Sequence, residues 1–180
     1  MFTRALDAQL KQHAQNASYS AVGAKTKREA VGRVAADWEL EDLMGGTHIL
    51  QNYRGRMVVL DFWYRGCGRC IRAMPQMKPL ADDFRGQPVA ILGLNTDPDV
   101  KDVRFVAGAM GLNYPTLVSA EMVPGKCHVR VFPTPVVIDP QGNVAKCRVG
   151  YSTDLRAAIG EVIRRLLPAA PAADPPTRAR

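Results

Sequence analysis

Two cysteines, Cys67 and Cys70, stand in the stretch Trp63-Tyr64-Arg65-Gly66-Cys67-Gly68-Arg69-Cys70, with Arg72 just beyond it. Cysteines so spaced can form a structural disulfide, half of a zinc site, or a dithiol that exchanges with other disulfides. Zinc needs four ligands, and the remaining cysteines, Cys127 and Cys147, form no second close pair to complete the set. A purely structural 67–70 bridge closes so small a loop that it constrains the unfolded chain little. Exchange is the chemistry the surroundings favour. The pair follows a buried-strand run, Met57-Val58-Val59-Leu60-Asp61-Phe62, and precedes a segment with helical spacing. At a helix start the unpaired N–H groups and the macrodipole favour negative charge, so Cys67 is expected there as an outward-facing, stabilised thiolate. Arg65, Arg69 and Arg72 add positive potential, which lowers a cysteine pKa. Cys67 is then the attacking thiolate, and Cys70, one turn on and more buried, the resolving thiol.

Asp61 lies inside the apolar strand, where a carboxylate is costly without a task or a partner. It either serves the cysteines, pairs with a nearby lysine, or reaches solvent. Cys127 and Cys147 read as buried free thiols or as a second disulfide, with Ala145, Cys147 and Val149 alternating as the core face of the last strand. His128 reads as a surface residue, and His13 and His48 have no carboxylate or cysteine companion in view.

The elements that must hold these residues follow from the pattern. The 180 residues, 47% hydrophobic and 23% charged, suffice for one domain with tails. Residues 1–33 read as a helical or linker-like extension, with loop signals from Asn16 to Gly23. Trp38 to Leu50 reads as a hairpin about Gly45-Gly46. Strands are expected over 57–63, 88–95, 114–118, 135–139 and 143–149, and helices over 71–85, with a kink at Pro75, 99–110 and 153–167; one or two helical turns are expected over 124–131. This order places a central mixed sheet between helices. Residues 168–180, rich in Pro and Ala, read as a disordered tail.

Three separated stretches resemble one family in the correct order. "ADWELEDLMGG" is similar to the opening hairpin, "RGRMVVLDFWYRGCGRC" to the active-site strand and motif, and "VFPTPVVIDPQGNV" to the proline loop and closing hairpin of the TlpA/ResA-like thiol-disulfide oxidoreductases, a branch of the thioredoxin-like superfamily. The resemblance spans residues 34–167. It implies an α/β thioredoxin-like fold, a central mixed sheet flanked by helices with an N-terminal hairpin and helical extension. It also implies a cis Phe132-Pro133 bond beside the cysteines, where the backbone of residue 132 can bond an extended partner peptide. Trp63, Gly66, Arg69 and Phe132 are the residues it places along the partner, and Asp61 is its proton acceptor for Cys70, with a pKa raised by burial.

The implied activity is dithiol-disulfide exchange with protein thiols and disulfides, served by an upstream redox partner, with no metal and no cofactor, by a monomer. Gly66 stands where the family commonly has tryptophan, Arg69 where proline is frequent, and Ala73 where this branch often carries a buried glutamate. Partner choice and potential therefore do not carry over. The rivals are a peroxiredoxin-like peroxidase, which wants a hydroxyl donor, usually threonine, where Tyr64 stands, and a binding module that holds partners at Pro133 without turnover. The net charge is +7, but apart from Lys25, Lys27 and Arg28 the cations are scattered in the sequence and not interleaved with aromatics, which argues against nucleic acid. No apolar run suits a signal peptide or membrane span, so the chain is expected to be cytoplasmic or a piece of a longer protein; the family resemblance favours the extracytoplasmic side.

Overall fold

The computed structural model describes residues 17–167. Its centre is the strand β3, Met57–Trp63, seven residues that are all buried. A strand reads as a continuous apolar run only when both of its faces are covered, and here they are. β3 pairs in parallel with β4, Val89–Asn95, and antiparallel with β6, Val136–Ile138. β5, Thr116–Leu117, and β7, Val144–Cys147, complete a mixed sheet in the order β5-β4-β3-β6-β7.

The alternation along β3 sends Val58, Leu60 and Phe62 to one face and Met57 and Val59 to the other. The first face is covered by Trp38 and Leu50, which flank the N-terminal hairpin, by Ala30, and by Val123 and Cys127 around the short helix α4, Val123–Lys126. That hairpin consists of β1, Glu39–Glu41, and β2, Thr47–Ile49. The second face receives Met77 and Leu80 of α2, Gly68–Asp83, together with Leu155, Ile159 and Ile163 of α5, Leu155–Leu166. α3, Val100–Met110, begins at Asp99, whose side chain accepts the Lys101 N–H, and ends at Gly111, whose left-handed backbone (φ 55°) glycine adopts freely.

Both sheet edges are occupied. Glu41 to Leu43 bonds along β5 through Leu43 N–H to Thr116 O and Val118 N–H to Glu41 O. Residues 32–35 do the same along β7, with Gly32 and Ala35 donating to Val144 and Gly142. Covered edges do not template further pairing.

Three expectations need correction. Residues 17–30 form a helix, α1, where loop signals ran up to Gly23; its own Thr26 and Ala30 are buried, the Thr26 hydroxyl donating to His128 O at 3.2 Å. α2 starts at Gly68 and is helical through both Pro75 and Pro79. The core face of β7 is Val144 and Cys147, not Ala145, Cys147 and Val149, because a register shift between Val137 and Ile138 inserts an extra residue and breaks the alternation. Residues 1–16 and 168–180, with the expected leading segment and tail, lie outside the described residues.

Candidate active site

β3 ends at Trp63, and the chain turns through residues 64–66 into α2. The turn is held from β4. Asp97 accepts the Arg65 N–H at 2.7 Å and the Asn95 side-chain N–H at 2.9 Å, while Asn95 Oδ1 accepts the Asp97 N–H. Asn95 is fully buried, a polar residue that ends an apolar strand, and that position was the only sequence signal for this bracket.

Cys67 caps the N-terminus of α2, and its Sγ accepts the Cys70 N–H at 3.1 Å. Cys67 and Cys70 are joined in a disulfide with Cα atoms 5.2 Å apart. Both are buried, Cys70 at 2% exposure and Cys67 at 6%, so the outward-facing sulfur expected for Cys67 is not what forms. The cover comes from a cluster of Trp63, Met74, Val103 and Val106, with Phe132 and Val118 packed against it. Trp63 itself has no exposed surface, so it is the floor under the disulfide and not a surface that meets a partner. The Cys70 Sγ lies 3.9 Å from Phe62 O, an acceptor available to its S–H once the bridge is reduced.

The Phe132-Pro133 peptide bond is cis. The Phe132 ring meets those of Phe62 and Tyr64 edge-on, at 6.4 and 5.6 Å between centroids. Pro133 O accepts the Gly150 N–H at 2.8 Å, which ties this loop to the chain after β7. A Cβ at Gly66 would stand 3.1 Å from the Tyr64 ring, which would have to yield by a few tenths of an ångström to admit one.

Asp61 is 2% exposed on the face of β3 that carries Val59 and Trp63, and no lysine pairs with it among the described residues. Burial pushes its carboxyl up to about 7, opposed by a hydrogen bond from the Tyr114 hydroxyl at 3.1 Å. Burial and the Asp61 carboxylate raise Tyr114 in turn, so Tyr114 stays a donor. Gly93, the partner of Asp61 across the β3–β4 pair, leaves room for this arrangement, since a Cβ there would meet Trp63 Nε1 and Tyr114 at 3.2 Å. Tyr114 and Gly93 escaped the sequence reading, which had no means of pairing β3 with β4 residue by residue.

The arginines are engaged by neighbours. Arg65 pairs with Asp102 and lies over the Phe105 ring, Arg69 lies 4.5 Å from the Tyr19 ring centroid, and Arg72 lies 5.6 Å from that of Tyr151. Cys127 and Cys147 are free and buried, and burial pushes their thiols up to about 12 and about 11. His48 does have a carboxylate companion: its ring bonds Asp42 at 2.9 Å and the Tyr53 hydroxyl, a contact made only once the hairpin folds. His128 lies 3.7 Å from Glu29 and is partly exposed.

Known proteins resemble this chain in sequence and fold. The AhpC/TSA family profile matches residues 31–147. The thiol-disulfide oxidoreductase ResA of Geobacillus thermodenitrificans is 37% identical over 125 residues, covering 69% of this chain and 72% of that one. The ResA of Halalkalibacterium halodurans is 31% identical over 76% of this chain and 78% of its own. Among solved structures, the thioredoxin domain of a thiol-disulfide oxidoreductase from Bacteroides vulgatus superposes with a TM-score of 0.68 at 22% identity, covering 74% of this chain and 98% of that one; it speaks to the fold alone. With a Cys67–Cys70 bridge at the head of α2 in a thioredoxin-like sheet, the chain belongs to the AhpC/TSA family and is a ResA-like thiol-disulfide oxidoreductase.

Proposed function

We propose that Cys67 is the attacking sulfur, Cys70 the resolving one, Asp61 the proton acceptor for Cys70, and the Phe132-Pro133 loop the seat of the partner's extended chain. The observation that carries this is the Cys70 N–H directed at Cys67 Sγ from the first turn of α2. An N–H so placed stabilises a thiolate more than a thiol, which selects Cys67 for ionisation. In the reducing direction the Cys67 thiolate attacks a partner disulfide, one partner sulfur leaves as a thiolate, and a mixed disulfide forms. Cys70 then loses its proton to Asp61 and attacks Cys67, which releases the second partner thiolate and restores the 67–70 bridge. Two electrons pass from the dithiol to the partner, and the reverse sequence oxidises it. Gly66 and Arg69 flank the sulfurs at the surface.

The partners are protein thiols and disulfides, with an upstream protein restoring the working redox state. The TlpA/ResA resemblance supports an extracytoplasmic setting; among the described residues no helix is long and apolar enough to cross a membrane. A monomer is supported by the origin of its exposed large apolar residues, Val34, Met44, Tyr64, Val100, Phe105, Met122 and Leu166, in several different segments of the chain.

The test is trapping. Cys70→Ser should accumulate mixed disulfides through Cys67, Cys67→Ser should abolish insulin reduction, and iodoacetamide at mildly acidic pH should label Cys67 before Cys70. Insulin reduction by the Cys67→Ser protein would overturn the assignment.

A further inference from the structure

A cleft of about 440 Å³ reaches Arg69, the residue between the two bridged cysteines, and is lined also by Tyr19, Lys27, Lys146, Arg148 and Tyr151. Its cations come from three parts of the sequence, α1, α2 and the β7 region, so no charge run announced it. Lys27 and Lys146 have no carboxylate partner among the described residues. Arg69 is held against the Tyr19 ring, and only Arg148 carries its own acid, Asp154, together with Ser152. No Asp or Glu among the described residues lines the cleft.

The position ties the cleft to exchange. Arg69 stands between Cys67 and Cys70, and Gly150, also in the lining, donates to Pro133 O. A chain lying along the Phe132-Pro133 loop with its sulfur at Cys67 therefore has neighbouring residues at the mouth of the cleft. Like charges gathered in one concave surface raise the local potential and draw in the opposite charge.

We propose that this cleft, built by Lys27, Arg69, Lys146 and Arg148, is a docking site for an acidic segment, Asp or Glu, flanking the reactive cysteine of the protein partner. This rests on the exchange reading above and deepens it to a substrate class. Helix α1 is then part of the recognition surface, since it supplies Tyr19 and Lys27.

The test separates docking from chemistry. A fluorescent peptide with four glutamates and no cysteine is titrated by anisotropy at low salt against the oxidised parent, the Lys27→Gln/Lys146→Gln protein, and a control, Arg33→Gln/Arg165→Gln, that removes the same charge from outside the cleft. Stopped-flow exchange is then run on the reduced proteins with disulfide peptides carrying Glu, Gln or Lys flanks. The expected result is binding about tenfold weaker in the cleft variant, equivalent to about 1.4 kcal/mol, with little change in the control and loss of the difference at high salt. The Glu-to-Gln rate ratio should fall similarly. Equal binding by parent and cleft variant, or equal weakening in the control, would overturn the proposal. If the acidic peptide binds through the cleft but the parent exchanges with none of the peptides, docking stands and the exchange reading fails.

Discussion

Asp61→Asn should change how stability depends on pH, and the structure gives the size of the change. The Asp61 carboxyl is raised from 3.8 to about 7, first by burial, against the opposing Tyr114 bond. Below both values it is protonated in the folded and unfolded chains alike. As pH rises through 3.8 the unfolded chain releases the proton and the folded chain keeps it, so stability falls until pH passes about 7 and then levels. At about 1.4 kcal/mol per pH unit the accumulated loss is about 4 kcal/mol. An asparagine keeps an acceptor for the Tyr114 hydroxyl and carries no such proton, so relative to the parent it should gain about that much between pH ~4 and ~8. Urea unfolding of the oxidised proteins across that range reads the difference. Glu29, Asp42, Asp83 and Asp154, whose carboxyls are lowered by Arg130, His48, Arg156 and Ser152 with Arg148 and by backbone N–H groups, lose stability as pH falls, but equally in both proteins. The difference curve isolates Asp61. Parallel curves, separated by a constant within about 0.5 kcal/mol, would refute the idea that a buried, raised carboxyl sits there.

Other outcomes test the surrounding geometry. Gly93→Val should destabilise by about 1–3 kcal/mol, as overpacking does, and slow exchange, because the new methyls press on Trp63 and Tyr114; unchanged unfolding midpoints would show that those rings give way freely. Arg69→Ala should lower the reduction potential by tens of millivolts, 30 mV being about 1.4 kcal/mol for this couple, since the guanidinium favours the thiolate and not the disulfide; glutathione titration showing the parent value would remove that role. Mass spectrometry after brief alkylation of the reduced native protein should find Cys67 modified and Cys127 and Cys147 untouched until urea is added, because burial keeps their thiols protonated.

The sheet was legible because β3 and β4 are apolar runs interrupted only by Asp61 and ended by Asn95, and α3 because Asp99 and Gly111 mark its ends in the sequence itself. Cysteine spacing and the position of Asp61 were legible for the same reason, being local. What failed to show was what only the folded chain brings together. α1 carries small and polar residues with Gly23 inside, and becomes intelligible once Ala30 and Thr26 are seen to be covered by the region of α4 and His128. The β7 face was misassigned since a bulge is a property of two strands and not of one. Burial of Cys67 arises from Trp63 of β3, Val103 of α3 and Phe132 of the loop before β6, residues far apart along the chain.

The four cysteines form a comparison within one molecule. Burial acts on all of them, and in Cys127 and Cys147 it drives the thiols up to about 12 and about 11. Cys67 is as buried as these, so exposure does not set it apart. Its place on the backbone does: Cys67 caps the N-terminus of a 16-residue helix and receives the Cys70 N–H, whereas Cys127 caps the C-terminal end of a 4-residue one, where the exposed carbonyls disfavour an anion. The arginines come second, since Arg65 is neutralised by Asp102 and Arg69 and Arg72 are turned onto tyrosine rings. Low dielectric around Cys67 strengthens whatever field the helix start supplies. On the proposed roles, Cys67 is set apart from Cys127 by the end of the helix its sulfur occupies and from Cys147 by standing at a helix start and not in a strand, and a buried attacking thiolate suits exchange when the partner's chain docks along the Phe132-Pro133 loop and brings its own sulfur to it.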